Sequence, residues 1–554
     1  MRRILVLGGY GTFGGRIVRL LARHRRFAIV VAGRSLDRAE AFIRTLGDPA
    51  ITAAALDRDT ADAEALRRHD PWLVIDASGP FQGETARVVQ TAIAIGAHYI
   101  DIADALDFVT GIGRFDAEAK TRNLTVIAGA SSVPTLSSAV VAELAKDIDE
   151  MLEIEIAISS SNQASLGRSV NAALLSYAGK PIRVRRFGLW RTVTALKDWM
   201  SIDIEAGSAR LLFRLVAPCE VPDLALFPVH YPGLRKVMFR AGTELPILNR
   251  SSGWLARLVS LGLVRSLAPL TGLAGRAFTL LRRFGSKRSG MIVDLRGRRG
   301  GRFVAKRWSV IAEDGDGLWV PAMAAALLAE KLDRGEVQAG ARPGFGVLSL
   351  EEFRAGFSGY AIIDGVAEKW VSPSPFRRWI GDAVDRLPTA IRAMHDDPFE
   401  RSASGTVTVT RGTHPIAVLL CKLLGFPETA RERPLVVEFE PHDEEEIWRR
   451  RFETSTFQTR LKPWPGRAGH MRECVGPLAY GFELETRPEG LTMHFRRCWF
   501  CGIPFPAALG PRVEARQWQE GDDYCFLVDV AGLGIGRVVA YRGRLRLNPA
   551  TPTT

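Results

Sequence analysis

The N-terminal 131 residues alternate short apolar runs with segments whose apolar residues recur at helical spacing. Residues 3–7, 28–32, 51–56, 73–76, 99–102 and 124–128 read as strands, and 14–22, 35–45, 62–68 and 85–95 as helices. Regular βα alternation predicts a parallel, doubly wound sheet covered by helices on both faces. After Pro134 the pattern changes. Strand-like runs at 152–158, 236–239, 291–295 and 303–311 and helices at 319–332 and 350–357 suggest an α+β unit over 132–360. A Ser/Pro-rich stretch at 371–375 then opens a third unit, 371–550. Helical segments at 376–394 and 416–424 precede alternating runs at 435–440, 481–486, 491–500, 524–530 and 537–541. These predict an antiparallel sheet or partial barrel, able to enclose a hydrophobic ligand.

The first strand runs into GGYGTFGG, residues 8–15, five glycines in eight positions. Gly9, Gly11 and Gly14 satisfy GxGxxG, and Gly8, Gly11 and Gly14 satisfy GxxGxxG. Such a loop turns tightly, lets backbone N–H groups approach a pyrophosphate and opens a helix whose N-terminus favours negative charge. The whole turn, with Tyr10, Thr12 and Phe13, is the expected cofactor contact of a Rossmann-type domain over 1–131. An NAD site carries an acidic residue roughly 20 positions further on. Here Arg34 stands twenty residues after Gly14 and is followed by Ser35, with Arg38 one helical turn beyond. A guanidinium there suits a 2′-phosphate, so NADP(H) is expected over NAD(H). Asp57, at the end of the third strand, is expected to border the adenine. Ser78, Gly79, Pro80 and Phe81, after the fourth, are expected beside the cofactor's ribose.

The succession GGYGTFGG, AGRS, DASGPF, GAHYIDIAD and AGASSVPTLSS, with FRAGTELP and the stretch around GARPGFGVLSLEEF later, resembles saccharopine dehydrogenase-like oxidoreductases over roughly residues 1–360. The resemblance implies an NADP-binding domain, an inserted domain for substrate binding or dimerisation, and hydride transfer to or from a C=N, C=O or C=C group. The family's HYxD element stands as His98-Tyr99-Ile100-Asp101, followed by Asp104, and Tyr99, Asp101 and Asp104 are the expected catalytic groups. Ser131 and Ser132 replace the Cys-Gly turn of amino-acid-metabolising relatives, so lysine metabolism is not implied. The C-terminal unit resembles an uncharacterised domain often fused to such reductases.

Charge alters this picture in one place. The net charge is +13, yet residues 234–307 alone hold 17 Lys and Arg against Glu244 and Asp294. Residues 254–264 and 267–284 combine apolar and arginine positions in the manner of an interfacial helix on anionic lipid. A substrate lid, a dimer contact or a plain basic helix fits the same pattern. The rival to an enzyme is therefore a membrane-associated NADP sensor without turnover. Six scattered cysteines make no disulfide framework and point to a reducing cytoplasm, with peripheral contact at the inner membrane surface as an extension of the basic segment. No nucleic-acid module accompanies the charge. Cys498 and Cys501 form a lone CxxC expected to be structural, residues 442–446 an acidic solvated loop, and no metal site is expected. GxSxG is absent, which leaves a serine hydrolase without support.

Overall fold

A computed structural model describes residues 1–548 except 164–175, 266, 268–279, 282, 424, 427, 443, 454, 507–509 and 533. Most of the predicted apolar stretch 267–284 thus lies outside the described residues, as does Leu424. Strands β1 (Arg2–Leu7), β2 (Phe27–Gly33), β3 (Ile51–Ala55), β4 (Leu73–Asp76), β5 (His98–Asp101) and β6 (Thr125–Ala128) form a parallel sheet in the order β3-β2-β1-β4-β5-β6. The strands between β2 and β5 read as continuous apolar runs because helices cover both faces, and Ile4–Leu7 and Leu73–Asp76 are buried throughout. A further strand, Gly340–Pro343, pairs with β6, so the chain returns to this sheet after building the next one. The return is anchored by helix Trp319–Asp333, whose Trp319 ring lies under the guanidinium groups of Arg16 and Arg23.

The middle sheet is mixed. Its path runs Met200–Ala206, Ala209–Pro218, Lys236–Thr243, Glu150–Ser160, Ser289–Arg299, Arg302–Ala312 and Ile362–Trp370. Lys236–Thr243 and Glu150–Ser160 run parallel, and the other pairings of the path are antiparallel. One continuous cluster of buried apolar side chains joins this sheet to the Rossmann-type unit, from Ile4 through Leu136 to Trp308 and Phe353. The cleft between the two sheets is thus backed by one shared core.

The C-terminal sheet closes on itself. Its strands run from Leu478–Arg487 round to Gly490–Phe500, and these two strands also pair with each other. The expected sheet or partial barrel is thus a closed antiparallel barrel, which removes the exposed edges an open sheet would carry. Its interior belongs to a separate core of Phe376, Phe439, Trp448, Phe482, Tyr524 and their neighbours. A cavity of only about 70 Å³ remains inside. That is well below the roughly 300 Å³ at which ligand pockets begin, so the sheet expected to be able to enclose a hydrophobic ligand has a packed interior. The single helix expected at 376–394 is also corrected. Gly381, with φ of +59°, and Pro388 break it into Pro375–Ile380, a 3₁₀ turn at Gly381–Arg386 and Thr389–His395.

Ion pairs fasten the barrel to the middle sheet: Arg186 to Glu400 at 2.6 Å, Arg191 to Glu438 at 2.7 Å, Arg235 to Asp397 at 2.6 Å and Lys236 to Glu400 at 3.0 Å. Desolvation offsets most of the attraction in such pairs, so they set orientation more than they add stability. They also absorb part of the basic excess. Arg240, Arg296, Arg299, Lys306 and Arg307 likewise pair with acids, most of them outside 234–307. The 442–446 segment is corrected in part: Glu446 is buried and bonds both Arg401 at 2.7 Å and the Trp448 indole at 2.6 Å. All six cysteines are free, with Cys498 buried and Cys501 exposed just past the strand end. Among the described residues no helix is long and apolar enough to cross a membrane.

Candidate cofactor and substrate site

The glycine loop joins β1 to helix α1 (Gly14–Ala22). Gly8 has φ of +69°, and a Cβ there would stand 2.9 Å from the Ala77 carbonyl oxygen. A Cβ on Gly14 would stand 2.2 Å from the Gly8 carbonyl oxygen, and one on Gly9 2.8 Å from that of Val6. The turn is therefore closed to side chains at these positions. Gly11 N–H donates to Gly8 O at 2.8 Å, Gly15 N–H to Gly11 O at 3.0 Å, and Phe13 O accepts from the amides of Arg16 and Ile17 at 2.9 Å. Gly8, Tyr10, Gly11, Thr12 and Phe13 line one wall of a cavity of about 1030 Å³.

The next wall comes from the end of β2. Tyr10 reaches across to it: its hydroxyl accepts from the Ser35 amide at 3.0 Å, and its ring fills the space a Gly33 side chain would need. Ser35 caps helix α2 (Leu36–Arg44) by accepting from the Arg38 amide at 3.4 Å. Arg38 lies 5.0 Å above the Tyr10 ring, and the exposed Arg34 forms no ion pair among the described residues. Arg34, Ser35 and Arg38 all border the cavity, a basic corner at a helix N-terminus, where anions are favoured.

Asp57 and Ser78–Phe81 complete the cofactor half. The Asp76 carboxylate, buried at the end of β4, holds this second loop by accepting from the amide of Ser78 at 2.9 Å and from its hydroxyl. The Gly79–Pro80 peptide is cis. Sequence reasoning missed Arg58, which donates to Pro80 O at 3.2 Å, pairs with Glu84 at 2.9 Å and lies over the Phe81 ring. Its position directly after Asp57 was the available signal.

The expected catalytic trio is not brought together. Asp104 lines the cavity and accepts from the Gln82 amide at 3.2 Å. Tyr99 and Asp101 do not line it; both are buried, and their catalytic assignment is corrected. Tyr99 and Asp101, two apart in β5, share one face of the strand, where Tyr99 packs in the apolar core and its phenol shares a hydrogen bond with the Asp101 carboxyl. Asp101 also accepts from the amides of Ala103 at 2.9 Å and Gly129 at 2.8 Å and so shapes two loops that do reach the cavity. Burial pushes the Asp101 carboxyl up to about 7, and the same cause raises Asp104 and the Tyr99 phenol.

The substrate half lies beyond Ser131 and Ser132, which border the cavity, and is walled by the middle sheet. Leu196, Trp199, Phe239, Leu255, Met291 and Val310 make it largely apolar. Its polar lining includes Ser160, Ser161, Glu220, Thr243 and Asn249 besides Tyr177 and Cys219. Tyr177 shares a side-chain hydrogen bond with Cys219, and both sit near the Asp104 carboxylate. Burial pushes the Cys219 thiol up to about 12 and the Tyr177 phenol well above its usual range, so both stay protonated at neutral pH. Neither had a local sequence signal, because their meeting depends on the register of the middle sheet.

A glycine cradle at the carboxyl end of a doubly wound parallel sheet, opening into an apolar cleft, is the arrangement of a dinucleotide-binding domain. Residues 4–127 match the family model described as the saccharopine dehydrogenase NADP binding domain, and residues 387–545 match a domain of unknown function, DUF4166. The N-terminal unit is therefore an NADP-binding domain of the saccharopine dehydrogenase type, and its cofactor is NADP(H). No curated protein matches the chain. Among solved structures, an amine dehydrogenase from Mycobacterium smegmatis is similar at 10% identity, with 62% of this chain and 94% of that chain covered and a TM-score of 0.30. GenD2 from gentamicin A biosynthesis in complex with NAD is similar at 14% identity, covering 55% and 71%, with a TM-score of 0.28. The yeast methylglyoxal/isovaleraldehyde reductase complexed with NADPH shares 16% identity over 18% of this chain, at a TM-score of 0.17; the match spans 37% of the reductase's length.

Proposed function

We propose that this protein is an NADP(H)-dependent oxidoreductase acting on an apolar substrate with a C=O, C=N or C=C group. The observation that carries the reading is continuity: one cavity of about 1030 Å³ runs from the glycine loop and Arg34 to the apolar wall of the middle sheet. The loop amides and the α1 N-terminus would hold the pyrophosphate, Arg34 and Ser35 the 2′-phosphate, and Ser78–Phe81 the nicotinamide ribose. NADP(H) supplies the hydride when bound. The protein's own groups orient the substrate and handle the proton. Tyr177, kept protonated by burial, is the donor for the substrate atom that gains negative charge, with Cys219 fixing its hydroxyl and Asp104 beside it.

Fluorescence titration with NADPH, followed by oxidation assays on long-chain ketone, imine and enoyl substrates, tests the reading. Tyr177→Phe is expected to lower kcat by about 10²-fold with NADPH affinity unchanged. NADPH binding without turnover on any of the three classes favours the sensor, and an unchanged kcat in Tyr177→Phe removes the phenol from the mechanism.

A further inference from the structure

Helix Pro246–Ser260 presents two unlike faces. Inward, Leu248, Ser252 and Leu255 border the cleft, and buried Asn249 ties the helix to the sheet. The Asn249 side chain accepts from the Thr243 amide at 3.0 Å and donates to Thr243 O at 2.8 Å and Leu215 O at 3.3 Å. Gly253 lies against Trp199, where a Cβ would stand 2.6 Å from the indole Nε1. The helix is thus a fixed wall one helix thick.

Outward, Ile247 is 65% exposed, Trp254 68% and Leu261 72%, with Leu258 and Leu263 exposed beside them. Spacings of three and four residues put 247, 250, 254, 257, 258 and 261 on one stripe. Arg250 and Arg257 therefore share that stripe, and the Arg257 guanidinium lies 5.4 Å from the Trp254 ring. Residues 245–288 contain eight Lys and Arg and no Asp or Glu. Arg250, Arg257, Arg265, Arg283 and Lys287 form no ion pair among the described residues, unlike the paired cations elsewhere in 234–307. An apolar stripe flanked by free cations matches the two attractions of an anionic bilayer: apolar burial at the acyl boundary and charge at the headgroups.

We propose that this outward face docks on an anionic phospholipid bilayer, with the helix standing between the membrane and the cleft, and that the substrate is a lipid drawn from that bilayer. The docking stands on the surface alone; the choice of substrate rests on the oxidoreductase reading above.

The test is co-sedimentation of the full chain, with NADPH present, on phosphatidylcholine vesicles with and without phosphatidylglycerol, at low and high salt. Binding is expected only with phosphatidylglycerol and is expected to fall with salt. Trp254→Glu with Leu261→Glu is expected to weaken it about tenfold or more, and Arg250→Glu with Arg257→Glu to remove its salt dependence. These side chains point away from the cleft, so NADPH affinity measured without vesicles reports folding and cofactor binding in each variant. No binding at low salt overturns the docking, as does equal binding to both vesicle types or by the apolar-to-Glu variant. A dimer in solution that the same variant dissolves also overturns it, reassigning the stripe to a second copy. If docking holds while NADPH binding or turnover fails, the oxidoreductase reading falls and the membrane contact survives.

Discussion

The cleft and the barrel interior are walled by similar side chains, yet one encloses about 1030 Å³ and the other about 70 Å³. Two large buried polar side chains of the barrel find partners inside it. Arg401 is buried against Glu446 and three carbonyl oxygens, and His395 lies between the rings of Phe376 and Trp448 with Nε2 2.7 Å from the Gln517 amide oxygen. In the cleft, Arg34, Ser131 and Ser132 border the open cavity instead. A folded chain retains a large apolar void with unspent polar groups where something else completes it. The difference concentrates ligand chemistry in the first 360 residues and makes the barrel a packed body clamped to them.

The largest effect should fall on the barrel. Arg401→Met leaves the Glu446 carboxylate buried without its cation, and removal of one partner from a buried pair costs about 3–5 kcal/mol. Urea unfolding of the full chain should lose that stability in the barrel, while NADPH affinity stays as in the wild type. If NADPH binding falls in parallel, barrel and cleft form one cooperative unit and the contrast between them is wrong.

A smaller effect sharpens the cleft side. Arg34→Asp should replace a charge-assisted bond to the 2′-phosphate by repulsion, shifting the ratio of kcat/KM for NADPH over NADH by roughly 10–100-fold toward NADH. Barrel stability should not move. An unchanged ratio would remove Arg34 from cofactor selection and leave Arg38, over the Tyr10 ring, as the remaining cation of that corner.

Legibility in the sequence divides along the same line. The six N-terminal strands lie within about a residue of their expected places because strands buried on both faces read as unbroken apolar runs. The loop and Arg34 follow from chemistry that depends on local spacing. Gly340–Pro343 escaped notice because its partner β6 lies more than two hundred residues earlier. Strands such as Arg401–Arg411 and Glu446–Phe452 carry arginines and glutamates that pair across the sheet or between domains, so charge masked their alternation. Tyr99 and Asp101 show the opposite failure: the motif was correctly placed in β5, but both side chains are buried on one face of that strand, and Asp104, in the loop after it, is the one that borders the cavity.

The smallest effect separates the two bodies by pH. Burial holds His395 down to about 3, so between about pH 6.5 and 3 the unfolded barrel binds a proton that the folded one does not. Its stability is full above the unfolded pKa and falls on acidification by about 1.4 kcal/mol per unit, or roughly 2 kcal/mol from pH 6.5 to 5. The Rossmann-type unit holds groups of both signs: Asp76, Asp101 and Asp104 are raised by burial, while His69 and His98 are lowered. His98, held down to about 4 by burial and by Arg2, adds a loss of the same sign. Asp101, raised to about 7, takes up its proton more readily folded than unfolded, so acidification from pH 7 toward 4 is stabilising there. In that unit the raised carboxyls oppose the lowered histidines over pH 6.5 to 5, whereas no buried carboxyl with a raised pKa offsets His395 among the described barrel residues. Stability followed through this range should therefore show the barrel weakening while NADPH-binding competence persists. His395→Gln should flatten the barrel's dependence, and Asp101→Asn should remove a stabilising contribution and so steepen the N-terminal unit's loss of stability on acidification.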